Sequence, residues 1–240
     1  MKLIFTGPLR LWFWLLIFTV PFNRLRPMAA SAPGNFCVCL DPGHPSENND
    51  GFKLTNGLSE TSLNWEVALL LKQRLESDGI KVVMTKKAEK EFVTNRHRAE
   101  IANSAGASLF LRLHADEGDS TGFTVYYPSR PGNWHGIEGP SAGVLASSKR
   151  VAALFHRAFA ASLSGQLKDN GLRGEEGTFI GGKQGALTGS IFSEVPTLLV
   201  EMIFLTSRRD AEWIKQDSNK RAMVHAIAAG VHAILEADHS

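Results

Sequence analysis

From Phe36 onward the chain alternates between two hydrophobic rhythms. "FCVCL" (36–40) is a continuous apolar run of strand length. "SETSLNWEVALLLKQRLESDG" (59–79) places Leu63, Val67, Leu70, Leu71 and Leu75 at helical spacing, with Ser59 as a predicted N-cap and Gly79 as the stop. "IKVVMT" (80–85) predicts a strand, Thr94 to Ala105 a helix ending at Gly106, and "SLFLRLHA" (108–115) and "GFTVYYP" (122–128) two further strands. Residues 141–163 predict a long amphipathic helix, "TLLVEMIF" (197–204) a buried strand, and the stretch from Arg208 to about Asp238 two helices. Strands separated by helices indicate an α/β fold with a mostly parallel or mixed central sheet flanked by helices. No internal repeat, low-complexity tract or linker interrupts residues 36–240, so a single domain is expected. The Gly/Pro-rich stretch 128–141 reads as a surface excursion. The segment 170–194, which carries Glu175, Glu176 and Glu194, reads as an irregular solvated loop, with a movable loop capping a metal as the sharper alternative.

The first residues follow a different pattern. Lys2 and Arg10 precede a twelve-residue apolar run, "LWFWLLIFTVPF" (11–22), too short for a bilayer span, which takes about 20 residues. Small residues follow in "MAASA" (28–32). Residues 1–32 are therefore expected to be an export signal, cleaved after Ala30 in preference to Ala32, with an uncleaved N-terminal anchor as the alternative. Residues 33–240 are then the mature domain, periplasmic or secreted, with no stable membrane span after processing. The formal charge of +2 includes Lys2, Arg10, Arg24 and Arg26 from this segment; without those four cations it is −2. Such a balance gives no basic footprint, so no nucleic-acid partner is expected. The composition, 43% apolar and 21% charged, is that of a folded globular protein.

Only two cysteines occur, Cys37 and Cys39, and positions i and i+2 of one strand do not suit a disulfide. They are expected to be small core residues. The candidate chemistry lies elsewhere. Ligands of open α/β sheets sit beyond the carboxyl ends of the strands. His44 follows the first strand, His114 ends "LFLRLH", Glu201 ends "TLLVE", and Glu60 begins the helix after the first strand. Two imidazoles and a carboxylate with one open position make the usual first shell of a hydrolytic zinc, and a second carboxylate moves the proton. Asp41 is the expected partner for the second ring nitrogen of His44. Taken singly, each residue has a plainer use: a hydrogen-bonded loop histidine, a first-turn acid, a solvated pair with Asp116. Glu201 resists that treatment, because a carboxylate between "TLLV" and "MIF" costs several kcal/mol unless it is paired or coordinating.

These residues carry a resemblance. "LDPGH" (40–44), "GLSETSLNWEVALLLKQRLESDGIKVVMTK" (57–86), "RAEIAN" (98–103), "LFLRLHAD" (109–116), "GFTVYY" (122–127) and "VPTLLVEMIFLTS" (195–207) resemble, in order and spacing, the motifs of the zinc-dependent N-acetylmuramoyl-L-alanine amidases of the amidase 3 family. The likeness covers about residues 36 to 237. It implies His44, Glu60 and His114 as ligands of Zn2+ and Glu201 as the catalytic carboxylate. The chain departs from the family pattern at Pro45-Ser46, at Lys86, at Asp116 and at Ile203-Phe204, all without loss of a ligand.

The resemblance implies a peptidoglycan hydrolase that cuts the amide between N-acetylmuramic acid and the L-alanine of the stem peptide. Two rival readings use the same residues: another zinc peptide hydrolase of the wall, carboxypeptidase-like, and a non-catalytic wall-binding protein. No separate wall-binding module is evident, so targeting falls to the domain itself or to a protein activator. A monomer is expected.

Overall fold

In a computed structural model, residues 36–238 are described; the export segment predicted at 1–32 lies outside the described residues. The elements run β1 (Cys37–Pro42), β2 (Leu54–Thr55), β3 (Leu58–Ser59), α1 (Glu60–Ser77), β4 (Lys81–Met84), α2 (Asn95–Ser104), β5 (Leu109–Asp116), β6 (Phe123–Tyr127), β7 (Gly132–Trp134) and β8 (Ile137–Gly139). They continue through α3 (Ala142–Ser162), β9 (Asp169–Gly174), α4 (Phe179–Gln184), α5 (Thr188–Ile191), β10 (Thr197–Phe204), α6 (Arg208–Lys215) and α7 (Asp217–Asp238).

The main sheet has the order β4-β1-β5-β10-β6-β9. β4, β1, β5 and β10 are parallel, and β6 joins β10 antiparallel with β9 parallel to β6. The sheet is thus mixed, as the sequence pattern predicts. Ser59 caps a backbone N–H of the first turn of its helix as predicted, and Thr94 and Ser141, where two further helices are expected to begin, do the same.

The two faces of the sheet differ in a way that places the site. One face sends Val38, Leu40, Leu109, Leu111, Leu113, Leu198 and Val200 into the large core beneath α1, α3 and α7. The α3–α7 contact is close: a Cβ on Gly230 would lie 2.5 Å from the ring of Phe155. The other face begins apolar, with Cys39 and Phe110 packed on Ala99, Ala102 and Val195. Because side chains alternate along a strand, the next residues on that face are Asp41, then Arg112 and His114, and on β10 Leu199 and Glu201. This face turns polar as its strands approach their carboxyl ends. Cys37 and Cys39 are buried, free thiols.

One of two stretches differs from the sequence expectation. Residues 128–141 are a surface excursion as expected, shaped as the hairpin β7–β8, with Gly132, Gly139 and Pro140 anchored in the interior. Residues 170–194 are not an irregular solvated loop. They hold most of β9, a single 3-10 turn (Glu175–Gly177), α4 and α5, with Glu175 and all four residues of α5 buried. Among the described residues, no helix is long and apolar enough to cross a membrane.

Candidate metal centre

The four residues read from the sequence meet at the polar edge. Glu60 opens α1 and bridges two imidazoles: its Oε2 is 3.1 Å from His44 Nε2 and its Oε1 is 2.9 Å from His114 Nδ1. The Ala115 N–H also donates to Glu60 Oε1, at 3.2 Å. One donor atom from each of His44, Glu60 and His114 lies within 4.8 Å of the others. Glu201 stands beside them, since Glu201 and His114 are register partners on β10 and β5.

The second ring nitrogen of His44 corrects one expectation. Its partner is the backbone carbonyl of Asn49, at 3.0 Å, and not Asp41. A ring nitrogen facing a carbonyl must carry the proton, so His44 Nδ1 donates; Nε2, which faces Glu60, is the nitrogen whose lone pair is free for a metal when the ring is neutral. Asp41 lies one layer deeper, fully buried, where Thr85 Oγ1 donates to it at 2.6 Å, Arg98 Nη1 at 2.5 Å and Arg112 Nε at 3.0 Å. Burial would raise its pKa, but the two guanidiniums and the Thr85 hydroxyl hold the carboxyl well below the ordinary range.

Asp41 acts on the site through Arg98. The same guanidinium donates to the carbonyls of Pro42 at 2.9 Å and Pro45 at 2.8 Å, so it grips the backbone on both sides of His44. Lys86 Nζ donates to the carbonyl of His44 itself and to that of Glu89. Burial and the nearby Arg98 charge lower the Lys86 pKa to about 8. Gly43 packs flat on the other imidazole: a Cβ there would fall 2.3 Å from His114 Cε1.

Charge within the cluster is uneven. Burial opposes ionisation of Glu60, yet its hydrogen bonds to His114 and His44 hold its pKa far below the ordinary value. Burial depresses the His114 pKa, whereas Glu60 outweighs burial at His44 and raises it. Burial, followed by the negative charges of Asp116 and Glu60, pushes Glu201 well above the usual carboxyl range. Two atoms at this point, His114 Nε2 and Glu201 Oε2, are buried without a hydrogen-bond partner. Two imidazoles, a shared carboxylate and an unpartnered acid beside them are a donor set that fits a divalent zinc.

Two cavities open here. One, of about 490 Å³, is bounded by His44, Glu60, His114, Asp116 and Glu201. The other, of about 350 Å³, runs from His114 and Glu201 past Arg112 and Asn95 to Thr188 and Phe179. Phe179 borders both cavities and is 76% exposed. Glu175, Glu176 and Glu194 do not join the metal cluster. Glu175 turns inward, where Ser190 Oγ donates to Oε1 at 2.6 Å and the Leu187 N–H to Oε2 at 2.9 Å. Sequence reading passes over Arg98, Arg112, Asn95 and the α4–α5 wall. Arg112 carried the same signal as Glu201, a charge inside an apolar strand, "LFLRLH".

A family model described as N-acetylmuramoyl-L-alanine amidase matches residues 38–233. N-acetylmuramoyl-L-alanine amidase LytC of Bacillus subtilis (strain 168) is 29% identical over 196 residues, which are 80% of this chain and 34% of LytC. The chain therefore spans about a third of that relative's length. N-acetylmuramoyl-L-alanine amidase Rv3717 of Mycobacterium tuberculosis is 23% identical over 238 residues, covering 86% of this chain and 90% of that protein. Among solved structures, the catalytic domain of CwlV, an N-acetylmuramoyl-L-alanine amidase from Bacillus (Paenibacillus) polymyxa var. colistinus, superposes with a TM-score of 0.66 at 22% identity. That match covers 84% of this chain and 98% of the CwlV domain, and establishes the shared fold.

Proposed function

The chain belongs to the N-acetylmuramoyl-L-alanine amidase family, and from that premise we propose that residues 33–240 are an exported, zinc-dependent peptidoglycan hydrolase. The bond cut is the amide between the lactyl group of N-acetylmuramic acid and the L-alanine of the stem peptide. The observation that carries this reading is the meeting of His44, Glu60 and His114 within 4.8 Å, with Glu201 in register beside His114.

His44, Glu60 and His114 would hold the zinc. When bound, the ion supplies Lewis-acid polarisation of the scissile carbonyl and acidifies water. Glu201 takes a proton from the attacking water and hands it to the alanine nitrogen as the C–N bond breaks. Its raised pKa suits the second half of that duty, because burial favours the protonated carboxyl that delivers the proton to the leaving amine. Asn49 fixes the tautomer of His44, and Arg98 with Lys86 fixes the loop that presents it. The two cavities of about 490 and 350 Å³ beside the cluster offer room for substrate, and the wall outside the cytoplasm is where the predicted N-terminal signal would send the chain.

The test is incubation of the purified protein with peptidoglycan, with and without a zinc chelator, followed by mass spectrometry of released peptides. Stem peptides with a free L-alanine amine, lost on chelation and restored by zinc, are the expected product. Shortened peptides still joined to sugar would reassign it as a carboxypeptidase-like hydrolase, and absence of bound zinc would favour a wall-binding protein.

A further inference from the structure

We propose that Arg112, with Asn95, is a specificity-determining subsite for a substrate carboxylate, the free α-carboxylate of the second stem residue; this rests on the amidase reading above. Arg112 is 3% exposed, yet it borders the cavity that leads away from His114 and Glu201. Its guanidinium is only partly used. Nε donates to Asp41 at 3.0 Å and Nη2 to Asn95 Oδ1 at 2.7 Å, while Nη1 has no hydrogen-bond partner among the described residues. The room beside Nη1 depends on Gly189, where a Cβ would lie 3.2 Å from that nitrogen.

Asn95 adds a second donor. A guanidinium can only donate, so the Asn95 oxygen must be the atom facing Arg112, and its NH2 group faces elsewhere. That NH2 has no partner among the described residues either, and Asn95 borders the same cavity. Two N–H groups without acceptors on one wall suit an acceptor with two oxygens.

The charge balance points the same way. Asp41 sits between Arg98 and Arg112, so one carboxylate faces two guanidiniums and one positive charge is left over. Of the other two buried acids near Arg112, Glu175 has each oxygen engaged, by Ser190 and Leu187, and Glu201 stands in the metal cluster beside His114. An anion entering the cavity therefore meets a guanidinium with an unused N–H in a buried setting, where a charge-assisted hydrogen bond is strongest.

Spacing selects which anion. Arg112 and His114 are two residues apart on one face of β5, roughly 7 Å along the strand. An extended peptide covers roughly the same 7 Å in two residues. The group two residue-lengths from the scissile carbonyl is the α-carboxyl of the second stem residue, which is ionised when free and neutral when amidated.

The experiment compares two muramoyl peptides that differ only at that position, carboxylate or carboxamide, as substrates of the zinc-loaded protein. The carboxylate substrate is expected to show a kcat/KM at least about tenfold higher. Arg112→Gln should bring the ratio close to one, and Arg112→Lys should retain part of it, with circular dichroism confirming folded variants. Equal rates in the parent protein, a preference for the carboxamide, or a ratio that survives Arg112→Gln overturns the subsite while leaving the amidase reading intact. Release of no free-alanine peptide from either substrate overturns both. The parent comparison decides the matter even where a variant does not fold.

Discussion

His114 and Glu201 face one another across the parallel pair β5 and β10, in register, and each has a buried polar atom with no hydrogen-bond partner. Folding has therefore carried a nitrogen and a carboxyl oxygen into the interior and left both unused, at a desolvation cost of roughly 1–3 kcal/mol for each group. A site that binds a cation and moves a proton gives both groups a use. The two residues should separate cleanly by experiment. Glu201→Gln keeps zinc and loses turnover, on the order of a hundred- to ten-thousandfold. His114→Ala loses zinc as well. Metal analysis beside product release distinguishes them, and loss of zinc from the Glu201 variant would move Glu201 into the ligand set.

Gly43 should matter to the metal although it supplies no ligand. A Cβ at this position would overlap the His114 ring, at 2.3 to 2.7 Å from Cε1, Nε2 and Nδ1. That ring lies against the loop leading to His44, so an added methyl must push it away from its place beside Glu60. Gly43→Ala is expected to weaken zinc binding about tenfold to a hundredfold, the size of effect seen when supports of metal ligands are removed. Competition against a chelator of known affinity measures it, and unchanged affinity would mean that His114 is free to shift.

Asp41 should prove a residue of stability before it proves one of catalysis. Asp41→Asn would leave Arg98 and Arg112 buried without their shared anion, and breaking such a network typically costs about 3–5 kcal/mol. The sign with pH follows from its depressed pKa. The stabilisation is present above the unfolded value of about 3.9 and is lost as pH falls below it, because the native carboxylate resists the proton that the unfolded chain accepts. Urea unfolding of parent and variant at neutral pH reads the loss directly. A change under 1 kcal/mol would show that the guanidiniums find other anions.

How far the sequence carries depends on the range of the forces involved. The strands and helices with strong periodicity were legible because local patterning dictates them, and the caps at Ser59, Thr94 and Ser141 are local too. His44, Glu60, His114 and Glu201 were legible because strand ends are a rule of the fold, reinforced by the family resemblance. Asp41 departs from its expected partner for a physical reason. Its partners Arg98 and Arg112 lie 57 and 71 residues away, and nothing local shows that they outcompete the neighbouring His44 ring. The stretch 170–194 reads as loop in the sequence because β9 is an edge strand containing Gly171 and Gly174, and α4 contains Gly181 and Gly182. Glycines in such a stretch read as loop when their close packing is invisible.

Glu175 offers the sharpest test of that misread wall, because its chemistry differs in the two pictures. A carboxylate in a solvated loop titrates near 4.5, whereas burial raises this one to about 7, against the opposing pull of the Ser190 and Leu187 hydrogen bonds. A raised carboxyl means that the folded state holds its proton more tightly than the unfolded chain. Its contribution to stability is then complete below the unfolded value of 4.5 and is lost as pH rises toward 7, a difference of roughly 3 kcal/mol across that window. Gln at this position keeps the shape without the charge. Its oxygen accepts from Leu187 N–H, its NH2 donates to Ser190 Oγ, and the hydroxyl rotates to suit. Glu175→Gln should therefore match the parent near pH 5 and exceed it at pH 8. The effect of burial on the charge should appear as the difference between the two curves, since every other titrating group is shared. Thermal melting of both proteins from pH 4.5 to 8 gives those curves. Parallel curves would mean that Glu175 is ionised throughout, and that solvent reaches the wall formed by α4 and α5.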